Sequence, residues 1–563
     1  MIINTESSSN GRFYRNRLYA DYIFDFQKLG DYFNHDYREI ESYKKRMAEI
    51  EQSYDDGQRK GVVEILNDYN SRLGAGAKTL DNIRKLGERG TAVVVGGQQP
   101  GLFTGPLFII YKIITILKLS SFINKETGIR TVPCFWNASD DSSIGQANSI
   151  GLISDELIKI EIDTSNIKKN TRFSNIYIGR EKYIKVIEDI RSLLAETDFS
   201  GEVLGLLKES TDDKYTDPLD DNRINLPELF SDIILKLFSE YGIVLIDPSD
   251  ERLKKMGGRF LEEDLEKCAN IKEKVNTRGD ELERAGYHRQ LDIKQDTLNH
   301  FLNVGDIREK IECLPEMQYR VKDKIYSKKE LISRSVGDPG FFSWNVIMRP
   351  VIQDTLFPVL ATVCGPGEVS YFAQISGVYD LMDVRLPIIY PRFSATIIER
   401  NIEKIINKFR SIDNLLETNR EQAIKRSLDD SGNASIEDLV GDLGKKLESV
   451  IEDFEKEVSH AGLNAGNSSD RIKRNIKKEV SVLKGKIYSE LKKRNQWLEN
   501  ALNRFYLNLF PGEGLQEREV NLFYYANKYG IGIVDGLYDS FDPFDFKHKF
   551  LFFNQDGKNG KKS

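Results

Sequence analysis

Between Thr91 and Leu119 the chain passes from one apolar block, through a break, into a second. Ala92–Val95 is apolar and mostly β-branched at four successive positions, which predicts a strand buried on both faces. Gly96, Gly97, Pro100, Gly101, Gly105 and Pro106 then punctuate eleven residues, too densely for the interior of a helix or strand. Phe108 to Leu119 is apolar at most positions, broken by Lys112 and Lys118, and predicts a largely buried helix. Strand, glycine loop and helix make half of a βαβ unit, whose loop and helix N-terminus offer backbone N–H groups to anions. The same signals recur at Val359–Cys364 (strand), Gly365–Glu368 (tight loop) and Val369–Leu381 (helix). Thr131–Asn137, Gly242–Asp247 and Leu386–Tyr390 read as further buried strands, so the class is α/β with a parallel sheet.

Other segments carry other periods. Residues 13–90 mix aromatic and aliphatic positions with charges as helices do, with breaks at Asp55–Gly61 and Gly74–Gly76. Residues 151–230 alternate short strands (Leu157–Ile162, Asn175–Ile178) with amphipathic helices, as an insertion on the sheet. A second insertion, about 251–340, begins with a highly charged helix over 251–285. From Ile397 apolar residues fall at alternating spacings of three and four: Ile398, Ile402, Ile405, Phe409, then Ile436, Val440, Leu443, Leu447, Val450, Phe454. With a looser third segment, Ile472–Leu502, and breaks at Ser431–Ala434 and Gly462–Ser469, this predicts an antiparallel coiled coil. It serves either as a dimerisation arm or as a bundle packed on its own core. Gly532–Leu537 reads as a return to the α/β core, and the polar tail Asp556–Ser563 as disordered. The division is therefore a core of 1–395, a helical arm of 396–505, a returning segment of 506–555 and a tail of 556–563.

Composition narrows the function classes. The 563 residues carry a formal net charge of −7, which argues against nonspecific nucleic-acid binding. Cys134, Cys268, Cys313 and Cys364 form no C-x-x-C pair, and the five histidines show no H-x-x-x-H spacing. This predicts reduced thiols, no disulfide framework and no local metal site. The start has no apolar h-region, and the lysines of the longest apolar run make it too short and too charged to span a bilayer. The expectation is a soluble cytoplasmic protein without nucleic-acid or membrane partners.

The glycine loop matches neither the dinucleotide fingerprint nor the P-loop, so it is either a ligand loop or a structural turn. Gln98 and Gln99 add amides that donate and accept, beside Gly97, Gly101 and Thr104. In open α/β sheets ligands sit beyond the carboxyl ends of strands, which brings Trp136, Asp140 and Asp141 to the same crevice. The alternative for the two acids is a turn that caps the next helix. Arg349 is suited to a carboxylate or phosphate, or to an ion pair with Asp354. His288 reads as a surface or packing residue.

GGQQPGLFTGPLFIIYK (Gly96–Lys112), VPCFWNASDD (Val132–Asp141), NVIMRPVIQD (Asn345–Asp354), CGPGEVSYFAQ (Cys364–Gln374), PRFSATIIE (Pro391–Glu399) and LFPGEGLQER (Leu509–Arg518) together resemble the BshC family of bacillithiol biosynthesis. The resemblance spans most of the chain, in order. It implies a Rossmann-like core with inserted connecting segments, plus an α-helical antiparallel coiled-coil domain that forms a homodimer. It also implies a ligase that joins the carboxyl of cysteine to the amine of glucosaminyl malate. By the same resemblance, and by analogy with nucleotidyltransferase-type synthetases, ATP or ADP is the implied cofactor, with Gln516 and Arg518 at its site. Asp140 and Asp141 are the implied catalytic pair. Substrate binding falls to Gly97, Gln98, Gln99, Gly101, Thr104, Trp136, Arg349, Gln353, Gly365, Gly367, Glu368, Tyr371, Gln374 and Arg392. The chain departs from the family's pattern after the tryptophan strand. Ser142 stands where that pattern has histidine, Ser143 and then Gly145 and Gln146 stand where it has acids, and Gly96 replaces a threonine. A general base is missing from the loop. Two readings besides the ligase stay open: a non-catalytic ligand-binding or scaffold homologue, and a ligase for a different amine acceptor.

Overall fold

The computed structural model describes residues 2–209, 215–217, 220–293, 296–409, 411–416, 422, 436–463, 466–494 and 496–554. The tail Asp556–Ser563 and the Ser431–Ala434 break lie outside the described residues. The chain divides into two compact units, Met1–Ile397 with Pro511–Ser563, and Ile398–Phe510.

Five parallel strands centre the first unit: β1 (Thr91–Gln98), β2 (Arg130–Asn137), β3 (Val244–Ile246), β4 (Val359–Cys364) and β5 (Ile388–Pro391), in the order β5-β4-β1-β2-β3. All five fall on apolar runs of the sequence, because a strand covered on both faces has no polar side to show. The connections reverse direction between β1 and β4, which opens a crevice beyond the carboxyl ends of these two neighbours. Helix α1 (Leu107–Thr127) follows β1 and ends at Gly128 in the left-handed conformation (φ 73°). At 21 residues and mean hydropathy 1.6 it is long and apolar enough to cross a bilayer, so the expectation that length and lysines disqualify it was mistaken. Packing decides instead: 72 % of that stretch is buried within the fold.

The segment between β3 and β4 holds more than the charged helix read from its sequence. After α2 (Glu251–Met256) and α3 (Arg259–Arg284) it forms a five-stranded antiparallel sheet from Thr297–Val304, Ile307–Leu314, Gln318–Val321, Lys324–Ser327 and Phe342–Trp344. Leu261, Leu265 and Cys268 of α3 pack against Leu298, Leu302 and Ile311 of that sheet. The strand Thr297–Val304 is covered on both faces and buries Leu298, Asn299 and His300 in succession, so it lacks the alternation that marks a strand. Helices α4 (Met348–Leu356) and α5 (Pro366–Leu381) flank β4 in sequence.

A three-stranded sheet joins Ile2–Ser8, His548–Asn554 and Ala395–Ile398. Ile398, expected to open the heptads, is thus the end of a strand, and Gly532–Leu537 lies largely in a helix, Ile533–Ser540. In this sheet His548 stacks on Phe13 (centroids 3.8 Å apart), and its ring nitrogens meet the hydroxyls of Ser394 (2.8 Å) and Thr396 (2.9 Å). Burial pushes this imidazole down to about 4. Asp354 of α4 accepts from Tyr379 (2.5 Å) and Gln353 (3.0 Å), and burial pushes it up to about 6. The two shifts oppose each other. His548 contributes stability that is complete above its unfolded value of 6.5 and is lost as pH falls through about 4. Asp354 contributes stability that is complete below its unfolded value of 3.8 and is lost as pH rises through about 6. Each is worth roughly 3 kcal/mol over its window, so the natural chain is expected to show a shallow profile. Denaturant melts between pH 4 and 6.5 should show His548→Gln gaining stability toward acid and Asp354→Asn losing it. Parallel profiles for the two variants would refute the assignment.

In the second unit α6 (Ile436–His460) and α7 (Gly466–Arg494) form a hairpin. Ion pairs of Glu437 with Lys484, Glu448 with Lys477 (3.2 Å) and Glu455 with Lys473 (3.0 Å) run in opposite order on the two helices, which makes the hairpin antiparallel. Ile402 and Ile406 are buried, and their helix Arg400–Lys408 packs on Gln496–Leu509. The first segment is therefore used inside this unit, but through Ile402 and Ile406, whereas the expected heptad positions Ile405 and Phe409 are only half-buried. On α6, Val440 is buried, whereas Val450 and Phe454 stay 66 % and 59 % exposed.

Candidate active site

The crevice between β1 and β4 is the mouth of a cleft of about 920 Å³. One wall is the glycine loop after β1. Gly101 is required there because a Cβ would sit 2.7 Å from the Cα of Gly105. At Gly96 a Cβ would meet Ile116 at 3.0 Å and the Val363 carbonyl at 3.1 Å, so this chain packs α1 and β4 too closely for a threonine. The opposite wall is the Gly365 loop at the start of α5. Gly97, Gln98, Gln99, Gly101, Gly365, Gly367, Glu368 and Tyr371 all line the cleft.

Lys112, from the second turn of α1, ties the two loops together. Its ammonium donates to the Gly97 carbonyl (2.6 Å), Gln98 Oε1 (3.2 Å) and Glu368 Oε2 (2.6 Å). The same Glu368 oxygen accepts the Gly365 N–H at 2.7 Å, so this helix N-terminus is capped by its own carboxylate. In the first loop the N–H groups of Leu102, Gly105 and Leu107 bond to Ala147, Leu102 and Val520 carbonyls. The anion site expected from bare backbone donors is thus largely taken up within the protein, and side-chain cations are left to attract anions.

Those cations can be sorted by their partners. Lys112 is paired with Glu368, Arg392 with Glu517 (2.6 Å), Arg308 with Asp141 (3.1 Å) and Lys159 with Glu519 (3.0 Å). Among the described residues Arg349 hydrogen-bonds only neutral oxygens, the Tyr371 hydroxyl (2.9 Å) and Gln353 Oε1 (3.2 Å), and makes no ion pair with Asp354, although the charges of Glu368 and Asp354 act on it from farther away. Arg518 also faces the cleft, with no carboxylate partner among the described residues. Arg349 and Arg518 are therefore the cleft cations without a salt-bridge partner among the described residues.

The acidic loop after β2 stands across from them. Asp141 accepts from Gln99, which ties this loop to the glycine loop, and from Arg308. Asp140 is only 6 % exposed; Lys254 Nζ donates to its Oδ1 at 2.8 Å, and Arg172 Nη1 lies 3.8 Å away. Its other oxygen, Oδ2, has no partner, and neither does the indole N–H of Trp136, which is 1 % exposed and lines the same cleft. Below them Asp247 receives the Ser139 hydroxyl, and its burial, with the charge of Asp140 behind, pushes its carboxyl up. Burial pulls the Lys254 ammonium down.

Several residues expected at the site do other work. Gln516 is fully buried and bonds the Ile397 N–H (2.7 Å) and carbonyl (2.9 Å), which pins a strand and removes it from the cleft. Gln374 clamps Gln290 and Leu291 through their backbones. Gln353 supports Arg349 from behind, and Thr104 is buried at φ 96° within the loop. Ser142 and Ser143 do not line the cleft. Lys112, Arg308, Lys254 and Arg172 were not singled out from the sequence. Only Lys112 carried a signal, as a lysine inside an otherwise apolar helix just after the glycine loop.

Comparison with known proteins agrees with this architecture. Residues 3–393 match the family model of the N-terminal Rossmann-like domain of bacillithiol biosynthesis BshC, and residues 395–553 match its C-terminal coiled-coil domain. Among curated relatives, a protein of Bacillus anthracis described as "Putative cysteine ligase BshC" is 27 % identical over 541 residues, covering 94 % of this chain and 96 % of the relative. A namesake from Salinibacter ruber is 29 % identical over 527 residues, covering 92 % and 93 %. One from Bacillus thuringiensis (strain Al Hakam) is 27 % identical over 543 residues, covering 94 % and 97 %. With both domain models matched in order along nearly its whole length, this chain belongs to the BshC family.

Proposed function

We propose that this cleft joins the carboxyl group of cysteine to the amine of glucosaminyl malate, forming an amide in the cytoplasm. The observation that carries the reading is the division of charge: Asp140 at one wall, with a buried and unpartnered carboxylate oxygen, and two guanidinium groups without a salt-bridge partner among the described residues, Arg349 and Arg518, at another. An amine is drawn to the Asp140 wall, and carboxylate or phosphate to the guanidinium groups. Asp140 orients the amine and takes a proton from it, and Asp141 fixes the loop through Gln99 and Arg308. A carboxylate is a poor electrophile, and a nucleoside triphosphate, when bound, supplies the leaving group it lacks. Arg349 and Arg518 are the residues suited to its phosphates; Gln516 is not.

Mass spectrometry of the purified protein with cysteine, glucosaminyl malate and ATP tests this reading by the mass of the joined product. Asp140→Asn should lower turnover about 10²–10⁴-fold. Arg349→Ala should weaken ligand binding by about 1.5–3 kcal/mol, tenfold or more by calorimetry. Ligand binding without product would favour the non-catalytic reading, for which the missing loop histidine speaks.

The arm is proposed to make a homodimer. Helix α6 carries eight acids against three lysines, and α7 ten bases against three acids, so a second hairpin can lie with opposite charges facing. Val450 and Phe454, exposed on α6, would be covered there. Val450→Glu with Phe454→Glu should give a monomer in light scattering at micromolar concentration, with helix content kept. A persisting dimer would move the interface elsewhere.

A further inference from the structure

Behind Asp140 lies a row of buried polar groups that the reaction as described does not use. Lys254 on α2 is 4 % exposed and bonded to Asp140 Oδ1 (2.8 Å). On its far side Lys254 lines a small cavity of about 10 Å³, shared with His300, Ser335 and Trp344. That volume suits about one water, provided it finds two or more polar partners, and the ammonium, imidazole and hydroxyl supply them. His300 is 2 % exposed, and its Nδ1 lies 2.8 Å from Asp264 Oδ2. Asp264 is fully buried and also receives the Asn299 N–H (2.8 Å) and side-chain amide (2.7 Å). With both Asn299 donors already on its carboxyl, Asp264 accepts a third hydrogen bond from His300, which puts the ring proton on Nδ1 and leaves the Nε2 lone pair as the acceptor of the ring. Trp344 lines both this cavity and the cleft, so the two spaces share one wall.

We propose that Asp264, His300, the one-water cavity, Lys254 and Asp140 form a relay that carries a proton away from the acceptor amine, and that it supplies the basic group the loop after β2 lacks. The inference rests on the amide-forming reading above. The ammonium of the acceptor reaches Asp140 at the cleft wall, where a turn of the carboxyl uncovers the buried, unbonded Oδ2, and passes one proton to that oxygen. Lys254 releases a proton through the cavity water to His300 Nε2, and the Asp140 carboxyl, turned so that its protonated oxygen takes the place of Oδ1 beside Lys254 Nζ, returns one proton to the amine of Lys254. At the end the amine is neutral and nucleophilic, Asp140 is a carboxylate again and Lys254 an ammonium. His300 is then an imidazolium stabilised by the Asp264 carboxylate. One proton has moved, and no other bond has changed. The charges facing Lys254 are Asp140, Arg172 and Asp247, and the charge facing His300 is Asp264, so the imidazolium forms next to an anion and not beside a bare cation. In this scheme Asp140 is the catalytic residue, and Lys254 and His300 act through it.

The test compares steady-state amide formation, from pH 5.5 to 9, in the natural chain, His300→Gln, Lys254→Met and Ser335→Val. The last fills the cavity without touching the Asp264–His300 pair, and melting curves establish which variants are folded. Expected is a fall in kcat of about 10²-fold in each folded variant, with KM for the acceptor changed by less than about threefold. An active natural chain in which His300→Gln and Ser335→Val keep the natural kcat overturns the relay and leaves the ligase reading intact. A natural chain that forms no product overturns both. A KM rise without a kcat change would make Lys254 a binding residue and also refute the relay.

Discussion

Arg392→Met is expected to destabilise the α/β unit by about 3–5 kcal/mol, the usual result of removing one member of a buried ion pair. Arg392 and Glu517 have side chains only 3 % and 2 % exposed and meet at 2.6 Å. The guanidinium also donates to the Phe393 carbonyl (2.7 Å), while Glu517 further accepts from Ser394 Oγ (2.8 Å) and the Ala395 N–H (3.1 Å). Without Arg392 the carboxylate keeps two donors but loses its counter-charge, and it can escape only by taking up a proton. Although burial alone would raise it, the neighbouring Arg392 holds the Glu517 carboxyl below its ordinary value in the natural chain. The pair's contribution is therefore complete above the unfolded value of 4.5 and is lost as pH falls through the lower folded value. Urea melts should thus show the largest gap between natural and Arg392→Met protein near neutrality, shrinking toward pH 4. Adding Glu517→Gln should recover part of the loss at pH 7. A difference that does not depend on pH would assign the defect to packing over Phe108 and not to charge.

Lys112→Met is the second large effect and the more informative about the cleft. The lysine side chain is 1 % exposed, whereas its partner Glu368 keeps 23 %, so the stability loss should fall near the lower end for a broken buried pair, about 3 kcal/mol. The functional loss should be larger in proportion. Lys112 is the cation that joins Gly97 and Gln98 of one loop to Glu368 of the other, and without it the Glu368 charge faces the cleft uncompensated. An extra bare carboxylate repels the anionic ligands that Arg349 and Arg518 attract. Calorimetry with a carboxylate ligand should show affinity lowered at least about tenfold, a cost of roughly 1.4 kcal/mol. Lys112→Met with Glu368→Gln should bind better than Lys112→Met alone. Unchanged affinity in a folded Lys112→Met protein would reduce the residue to a structural strut.

The sequence by itself determined the parallel sheet. Its five strands are short apolar runs ended by Gly, Pro, Asn or Asp, and α1 and α5 follow glycine loops whose composition leaves few alternatives. It also determined that two such loops meet, because strand–loop–helix units in one sheet put their loops at the same edge. The antiparallel hairpin was legible for the same reason, through local periodicity. What the sequence left open depends on partners far along the chain. Ile2–Ser8 becomes a strand only because His548–Asn554 lies beside it, more than five hundred residues away. Thr297–Val304 hides its pattern because both of its faces are covered. At the site, residue type and neighbourhood brought forward Asp140, Asp141, Arg349 and Glu368. Only the tertiary structure decided that Glu368 caps its own helix, that Gln516 serves the backbone of Ile397, and that Arg349 bonds a tyrosine hydroxyl and makes no ion pair with Asp354. A side chain's identity sets which bonds it can make. Which of them it makes depends on what folding brings within about 3 Å, and for Lys254, Arg308 and His300 those partners come from segments that no local pattern connects.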